Sequence, residues 1–485
     1  CVCTSPEPTH QHAQHGQPTP TLGSTVLPCT RTGTAPTSMG SPSVCNGMAS
    51  PQTKVRDHTR PSVSRIDVLH RKKKPLKGSV QALPAGITSE HVRAAKQAFL
   101  DKISKYKVFE LVPRPHDKNV MRGRWVMDFT MPAFGQVSKL RSRYVSDGRS
   151  QVEYQDYNQT ASPVLGMVTY RILEVLALRY GLHIRVQMDI EGAFYNARPK
   201  YEQYLMQPPG FENARYPKHV WRLLKSYAGS KDGGYNWWQE YSGHLKDIGF
   251  EQAVLDQCCF IYSDGKESML LGIHVDDVAC WATSQKVLSW FVRKMQERYT
   301  AKIAETMNCF VGVTSKVVSH GGEPRHIHLT AHKYIEKAAE VFKTCSTAKP
   351  PKYPDVLQSY GKFDAVDCVE KDDPERATLD AQPYREALAT LAYSARTCRP
   401  DIAQTVAKLQ RHCHNYGWKH IKRLHRLINY CLWHKHTALK LGVYNDVPLL
   451  AYADADQSGC PRTYRSHAGY ILKVFGSTVE WYSRK

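Results

Sequence analysis

The chain lacks any run of about 18 or more apolar residues, so nothing in it reads as a membrane-spanning helix. It also lacks an apolar N-terminal stretch of the signal-peptide kind. Its 14 cysteines are scattered, with no CxxC pair. That excludes the dense disulfide framework of a small secreted domain and predicts a reduced, intracellular setting. No GxxxxGK[ST] loop and no GxSxG elbow occur, so neither a P-loop nor a serine hydrolase has support. Acidic residues are in short supply: 44 Asp and Glu stand against 66 Lys and Arg, giving a net charge of +22. An excess of that size points to a polyanionic partner through counterion release and long-range steering. A membrane is not expected to be that partner, which leaves nucleic acid.

What is present divides along the chain. Residues 1–86 are rich in Pro, Ser, Thr, Gly and His and have almost no apolar periodicity, which predicts a disordered tail that cannot offset its chain entropy by burial. The basic run "HRKKKPLKG" (70–78) closes this tail, as a solvated linker or a nuclear-import or RNA-contact segment. From Ile87 the pattern changes. "ITSEHVRAAKQAFLDKISKY" has helical spacing with Ser89 placed to cap it. "RGRWVMDFTM" reads as a strand, "PVLGMVTYRILEVLALRYG" as a helix ended by Gly181, "LHIRVQMDI" as a strand and "VLSWFVRKMQERY" as a helix. This is an α+β alternation over 87–345. Residues 346–382 carry loop chemistry, 383–446 are helical and basic, and 447–485 read as three strands. The chain starts at Cys1 rather than Met and stops at Lys485, so both ends read as cuts in a longer frame.

One stretch, "MLLGIHVDDVACW" (269–281), sets two adjacent carboxylates, Asp276 and Asp277, between apolar flanks. A polar hairpin turn would account for them on their own, because Asp bonds its own backbone there. A third carboxylate, Asp189, ends another apolar strand, "VQMDIEGAF". Three converging carboxylates repel one another unless cations neutralise them. Oxygen ligands suit Mg²⁺ or Mn²⁺, and two such ions about 4 Å apart can stabilise the attacking and leaving oxygens of phosphoryl transfer.

These residues carry a resemblance. "MDIEGAFYNARPKYEQYLMQPPGF" (188–211) is similar to the first catalytic motif of reverse transcriptases from copia-type LTR retrotransposons, D-V-x-x-A-F-L-N-G followed by Y-M-x-Q-P-P-G-F. "IHVDDVACWA" resembles that family's Y-V-D-D box, and "FELVPRPHDKNVMRGRWVM" (109–127) its opening segment. "LTAHKYIEKAAEVF" resembles the end of the polymerase region, "YREALATLAYSARTCRPDIAQTVAKL" the helical block after it, and "AYADADQSGCPRTYRSHAGYILKVFGSTVEWYSRK" the start of a ribonuclease H domain. The order matches as well, across residues 87–485.

The resemblance implies a right-hand polymerase of fingers and palm (87–345), a linker (346–382), a basic helical thumb or connection (383–446) and a truncated ribonuclease H-like α/β segment (447–485). It implies that Asp189, Asp276, Asp277 and the backbone carbonyl of Ile190 hold two Mg²⁺ or Mn²⁺ ions. Phe194 takes the steric-gate position that excludes a 2′-hydroxyl. Arg141 and Arg143 match the triphosphate-holding pair of the fingers, and Lys231 and Asp232 fall where the family contacts the incoming nucleotide. His274 stands in place of the box tyrosine beside primer and template, while Lys419, Lys422, Arg423 and Arg426 are set to grip a hybrid. Asp454 matches the first ribonuclease H aspartate, but the remaining ligands of that site are missing from this chain, so hybrid cleavage is not expected.

Departures from the family are specific. Asp232 stands where Gln is expected, Gly233 and Gly234 replace Ala-Pro, and Asp147 replaces a fingers Lys. An acid beside the nucleotide would repel a triphosphate or take a metal. The expected function is therefore RNA-directed DNA polymerisation, acting on an RNA template, a DNA primer, their hybrid and dNTPs, with integrase and the rest of the polyprotein as partners, in a cytoplasmic particle or the nucleus. The alternative is a decayed remnant that binds nucleic acid without catalysis. Elsewhere, His326, His328 and His332 make a zinc site conceivable but lack an obvious fourth ligand, and "RHCH" (411–414) reads as basic helix surface.

Overall fold

The structure is a computed structural model that describes residues 87–130, 139–344, 349, 351–354, 367–458 and 464–484. The chain divides into two units, Cys1–Lys72 and Lys73–Lys485. The tail expected over 1–86, with its basic run, lies outside the described residues, as does much of the expected linker. No helix among the described residues is long and apolar enough to cross a membrane.

A six-stranded antiparallel sheet organises the central region. Its order is Ala301–Ala304, Ile184–Ile190, Asp277–Ala282, Ser268–His274, Cys259–Ser263 and Glu251–Gln252. Its central strands are buried on both faces, which is why "MLLGI" and "VACWA" are continuously apolar instead of alternating. Arg185, Gln187 and Asp189 share one face of their strand. At the Arg185 end that face is closed by the helix Met167–Arg179. Glu174 of this helix is 0% exposed and receives the Arg185 guanidinium and the Trp281 indole N–H, the latter at 2.9 Å. Exposure then rises along the face, from buried Arg185 through half-buried Gln187 to exposed Asp189. The opposite face packs the helices Gly233–Asp247 and Gln285–Gln296 through Trp237, Tyr241, Leu288 and Phe291.

The first helix, Ser89–Lys105, corrects one expectation. Its cap is Thr88, not Ser89: the Thr88 hydroxyl accepts the His91 N–H at 3.3 Å and the Thr88 N–H reaches His91 Nδ1 at 3.2 Å. Ser89 is already helical, so its side chain is one residue too late to cap. The hairpin Gly123–Thr130 and Lys139–Ser146 follows. It is joined to the central region by backbone contact, with Ser146 N–H donating to Ala228 C=O at 3.0 Å. Gly229 makes that approach possible. Its φ is +98°, and a Cβ there would lie 2.2 Å from the Ser146 carbonyl oxygen.

Beyond the central sheet, the helices Tyr384–Thr397, Ala403–Gln410 and Trp418–Trp433 build a second core around Leu388, Leu391, Tyr416 and Leu427. The strand Leu439–Gly442 then pairs with Glu323–Thr330 of an earlier sheet. The last three strands, Leu450–Ala455, Ala468–Val474 and Ser477–Arg484, form where three strands are expected. Val474, Phe475, Val479 and Trp481 join the core beneath the six-stranded sheet. Arg171 fastens this junction: its guanidinium donates to the Val479, Arg396 and Thr397 carbonyls and pairs with Glu480 at 3.3 Å.

Candidate active site

The two aspartates of the central hairpin occupy its turn and the first residue after it. His274 pairs with Asp277, leaving Val275 and Asp276 as a two-residue loop. Val275 adopts φ +60°, a conformation that a two-residue turn of this kind normally gives to Gly. A β-branched residue there is strained and persists only where its surroundings hold it. Two contacts do so: Trp237 Nε1 donates to the Val275 carbonyl at 2.8 Å, and the Ile190 N–H donates to the Asp276 carbonyl at 3.0 Å. The second bond ties the turn to the strand that carries Asp189.

Register completes the arrangement. Asp277 is the direct cross-strand partner of Asp189. Asp277 also accepts a hydrogen bond from Gln187 Nε2 at 3.1 Å, which orients its carboxylate. The Asp189 carboxyl is pushed up from its ordinary pKa, first by burial and then by the negative charge of Asp276. Although the side chain reaches solvent, its neighbours remove part of its hydration. Asp276 is raised as well, by burial first and by Asp277, with its own backbone N–H, His274 and Arg143 acting in the other direction. Two carboxyls raised by burial and by a neighbouring aspartate mark an excess of negative charge that a cation would relieve.

A basic border surrounds this charge. Lys302 is the cross-strand partner of Asp189 on its other side. Glu191 bridges Lys302 at 3.0 Å and Lys102 at 2.8 Å, tying the first helix to the aspartate strand. The two lysines hold the Glu191 carboxyl down to about 2. Arg141 and Arg143 lie exposed on one face of their strand, with Ser142, Tyr144 and Ser146 buried on the other, and Arg143 pairs with Asp128 at 3.5 Å. Phe194 sits half-buried in the short 3-10 helix Ala193–Asn196, just past Gly192 at φ +67°. His274 is half-buried with Nδ1 lacking a hydrogen-bond partner, its ring 6.5 Å from Phe310. Sequence reasoning did not find Lys302 or Glu191, because cross-strand register is invisible before the sheet is known.

Lys231 and Asp232 have positions that differ from those expected. Asp232 is 3% exposed, and its carboxylate accepts from Gln203 Nε2 at 3.0 Å and Asn236 Nδ2 at 2.9 Å. Lys231 donates to the Tyr157 hydroxyl at 2.9 Å and lies over that ring. Both side chains are thus engaged within the protein, Lys231 with Tyr157 and Asp232 with Gln203 and Asn236. Asp147 is likewise occupied: it pairs with Arg149 at 2.7 Å, which lowers its carboxyl to about 2.

On the helix Trp418–Trp433, residues 419, 422, 423 and 426 form a stripe opposite buried His420, Leu424, Leu427 and Cys431. Lys419 pairs with Asp367 at 2.5 Å, Lys422 is exposed, and Arg423 and Arg426 are half-buried. Asp454 lies on a strand exposed along its whole length. The histidines 326, 328 and 332 are not gathered: among the described residues, the one Cys, His, Asp and Glu group whose ligand atoms all lie within 4.8 Å is Cys368, His412 and His420. His412, expected on helix surface, is instead buried in a turn.

An edge of carboxylates on an antiparallel sheet, bordered by basic side chains, is the kind of site that nucleotidyl transfer uses. The chain belongs to the reverse transcriptase (RNA-dependent DNA polymerase) family, whose pattern matches residues 106–354. Its relatives are copia-type retrotransposon Pol polyproteins. It is 29% identical to the retrovirus-related Pol polyprotein from transposon RE1 of Arabidopsis thaliana over 379 residues, 78% of this chain and 25% of that protein. It is 26% identical to that from transposon TNT 1-94 of Nicotiana tabacum over 392 residues, 80% of this chain and 29% of that protein. The putative transposon Ty5-1 protein of Saccharomyces cerevisiae is 27% identical over 298 residues, 61% of this chain and 92% of that one. The chain thus spans about a quarter of the length of the polyproteins it matches. A foamy viral protease-reverse transcriptase solved with double-stranded DNA aligns at TM-score 0.42 and 13% identity, covering 86% of this chain and 60% of that one.

Proposed function

We propose that this chain carries out RNA-directed DNA polymerisation at the Asp189, Asp276 and Asp277 edge: a primer 3′-hydroxyl attacks the α-phosphate of a dNTP and pyrophosphate leaves. The observation that carries this reading is the register of Asp277 on Asp189 with Asp276 in the turn beside them. The all-oxygen donor set and the raised Asp189 and Asp276 carboxyls fit a hard divalent cation. Asp189, Asp276, Asp277 and the Ile190 carbonyl would hold two Mg²⁺ or Mn²⁺ ions, which when bound supply charge stabilisation to the attacking and leaving oxygens.

The protein's own groups do the rest. Arg141 and Arg143, exposed side by side, take the triphosphate, and Arg143 is the one whose charge reaches Asp276. Phe194 bears on the sugar and disfavours a 2′-hydroxyl. His274 lies beside the primer terminus. The stripe of Lys419, Lys422, Arg423 and Arg426 faces the phosphates of the RNA–DNA hybrid, a contact that makes binding salt-dependent. Lys231 and Asp232 act as supports of the nucleotide site and not as contacts. Asp454 has no part in polymerisation, and integrase and the remaining polyprotein are the expected neighbours.

Two acids favoured a decayed, non-catalytic reading, Asp147 and Asp232. Each is satisfied locally, one by Arg149 and one by Gln203 and Asn236, so neither leaves an unpaired charge facing a triphosphate. The test is primer extension on an RNA template with Mg²⁺ or Mn²⁺. The wild-type chain extends the primer, and Asp276→Asn binds the hybrid but does not extend it. Hybrid binding without extension by the wild type would establish the remnant reading instead.

A further inference from the structure

Outside the aspartate edge, three side chains bring metal-ligand atoms together. Cys368 Sγ lies 3.4 Å from His412 Nδ1, and the His412 and His420 ring centroids are 4.3 Å apart. One ligand atom from each residue lies within 4.8 Å of the others. They come from separate pieces of chain: Cys368 precedes the helix Arg376–Asp380, His412 is in the turn after Ala403–Gln410, and His420 is in the first turn of Trp418–Trp433. His412 is 7% and His420 0% exposed, and Cys368 is half-buried.

We propose that Cys368, His412 and His420 bind a zinc-class divalent ion, with a small ligand such as water in the fourth position. A thiolate and two imidazoles form a borderline-soft set, which suits zinc and not the hard ions of the aspartate edge. With bonds of about 2.3 Å to sulfur and about 2.0 Å to nitrogen, a tetrahedral centre sets sulfur and nitrogen about 3.5 Å apart. The observed 3.4 Å is close to that edge. Burying two imidazoles beside a half-buried thiol costs desolvation that apolar residues would avoid, and coordination offsets it.

The ion would close a loop between positions 44 residues apart in sequence and fix the start of the helix that carries Lys419, Lys422, Arg423 and Arg426. Its cost is visible too. The Gly417 N–H donates to His420 Nδ1 at 3.1 Å, and coordination through Nε2 would place a proton on Nδ1 and release that bond. Losing one helix-start bond is a small cost beside those of metal coordination.

The test uses the full chain, reduced and stripped with chelator, then titrated with Co²⁺ and afterwards Zn²⁺. The expected result is one equivalent of Co²⁺ with a thiolate-to-cobalt charge-transfer band, displaced by Zn²⁺. The carboxylates of the aspartate edge cannot give that band. Cys368→Ser abolishes it, and His412→Gln weakens Co²⁺ affinity by at least roughly tenfold, with far-UV circular dichroism confirming that each variant folds. Absence of the band from the wild type, or an unchanged band in Cys368→Ser, overturns the site. If Cys368→Ser does not fold, an unchanged Co²⁺ affinity in His412→Gln overturns it equally.

Discussion

Asp189 stands in register between Asp277 and Lys302, so the row across the sheet reads acid, acid, base. Lys302 also holds Glu191 at 3.0 Å while its own side chain is 68% exposed. It is thus the protein's built-in counter-charge for an edge that otherwise accumulates like charges. Lys302→Met removes that counter-charge without disturbing the core. The variant melts at a lower temperature than the wild type without divalent ions, and Mg²⁺ raises its melting temperature more than the wild type's. Equal Mg²⁺ shifts in thermal melts of the two proteins would show that Lys302 does not balance the aspartates.

The turn that presents Asp276 yields an inversion of the usual residue order. Gly normally costs stability relative to Ala, because it has more freedom to lose. At Val275, with φ +60°, Ala keeps the backbone strain while Gly removes it. The left-handed conformation costs an L-residue about 1–2 kcal/mol. Val275→Gly is therefore more stable than Val275→Ala by about 1 kcal/mol, measured by denaturant unfolding. The reverse order would mean that neighbouring packing, not φ, sets the energy of this turn.

Asp232 separates a structural role from a nucleotide contact. Its carboxylate satisfies two buried amides, Gln203 and Asn236. Asp232→Ala removes one acceptor from each, leaving Gln203 only the Asp156 carbonyl and Asn236 only the Ser226 hydroxyl, and costs about 2–3 kcal/mol of stability. Steady-state kinetics on the folded fraction should show the KM for dNTP unchanged. A large fall in that KM with little loss of stability would place the Asp232 charge beside the triphosphate after all.

The contrast between these residues explains what the sequence could disclose. Asp189, Asp276 and Asp277 were legible because each interrupts or ends an apolar run, a signal carried by immediate neighbours. The helices around residues 170, 290 and 425 and the three final strands were legible through the same local periodicity. Thr88 was missed by one residue, since cap identity depends on where the backbone turns helical. Asp232 read as an acid beside the incoming nucleotide, and Gln203, 29 residues upstream, shows it to be an internal acceptor. His412 looked like basic surface because Cys368 lies 44 residues away. For Asp232 and His412 the deciding partner is remote in sequence, and neither periodicity nor spacing encodes it.

Arg171 gives the last prediction, at the junction of the Met167–Arg179 helix with the final hairpin. It is buried, donates to three backbone carbonyls and lies over the Trp481 ring at 4.5 Å. Arg171→Met keeps most of the volume but leaves those carbonyls and Glu480 without their donor, at a cost of about 3–5 kcal/mol. The deficit also depends on pH. Burial raises the Glu480 carboxyl, and Arg171 is the first of the charges that lower it. Without Arg171 the folded-state pKa climbs further above the unfolded value of about 4.3. A carboxyl raised in the folded state binds more protons there than in the unfolded chain, so stability falls as pH rises through that window. The loss in Arg171→Met is therefore smallest below about pH 4 and grows toward neutrality. Urea unfolding at a series of pH values measures it, and a deficit independent of pH would mean that the carbonyl contacts, and not Glu480, account for the whole effect.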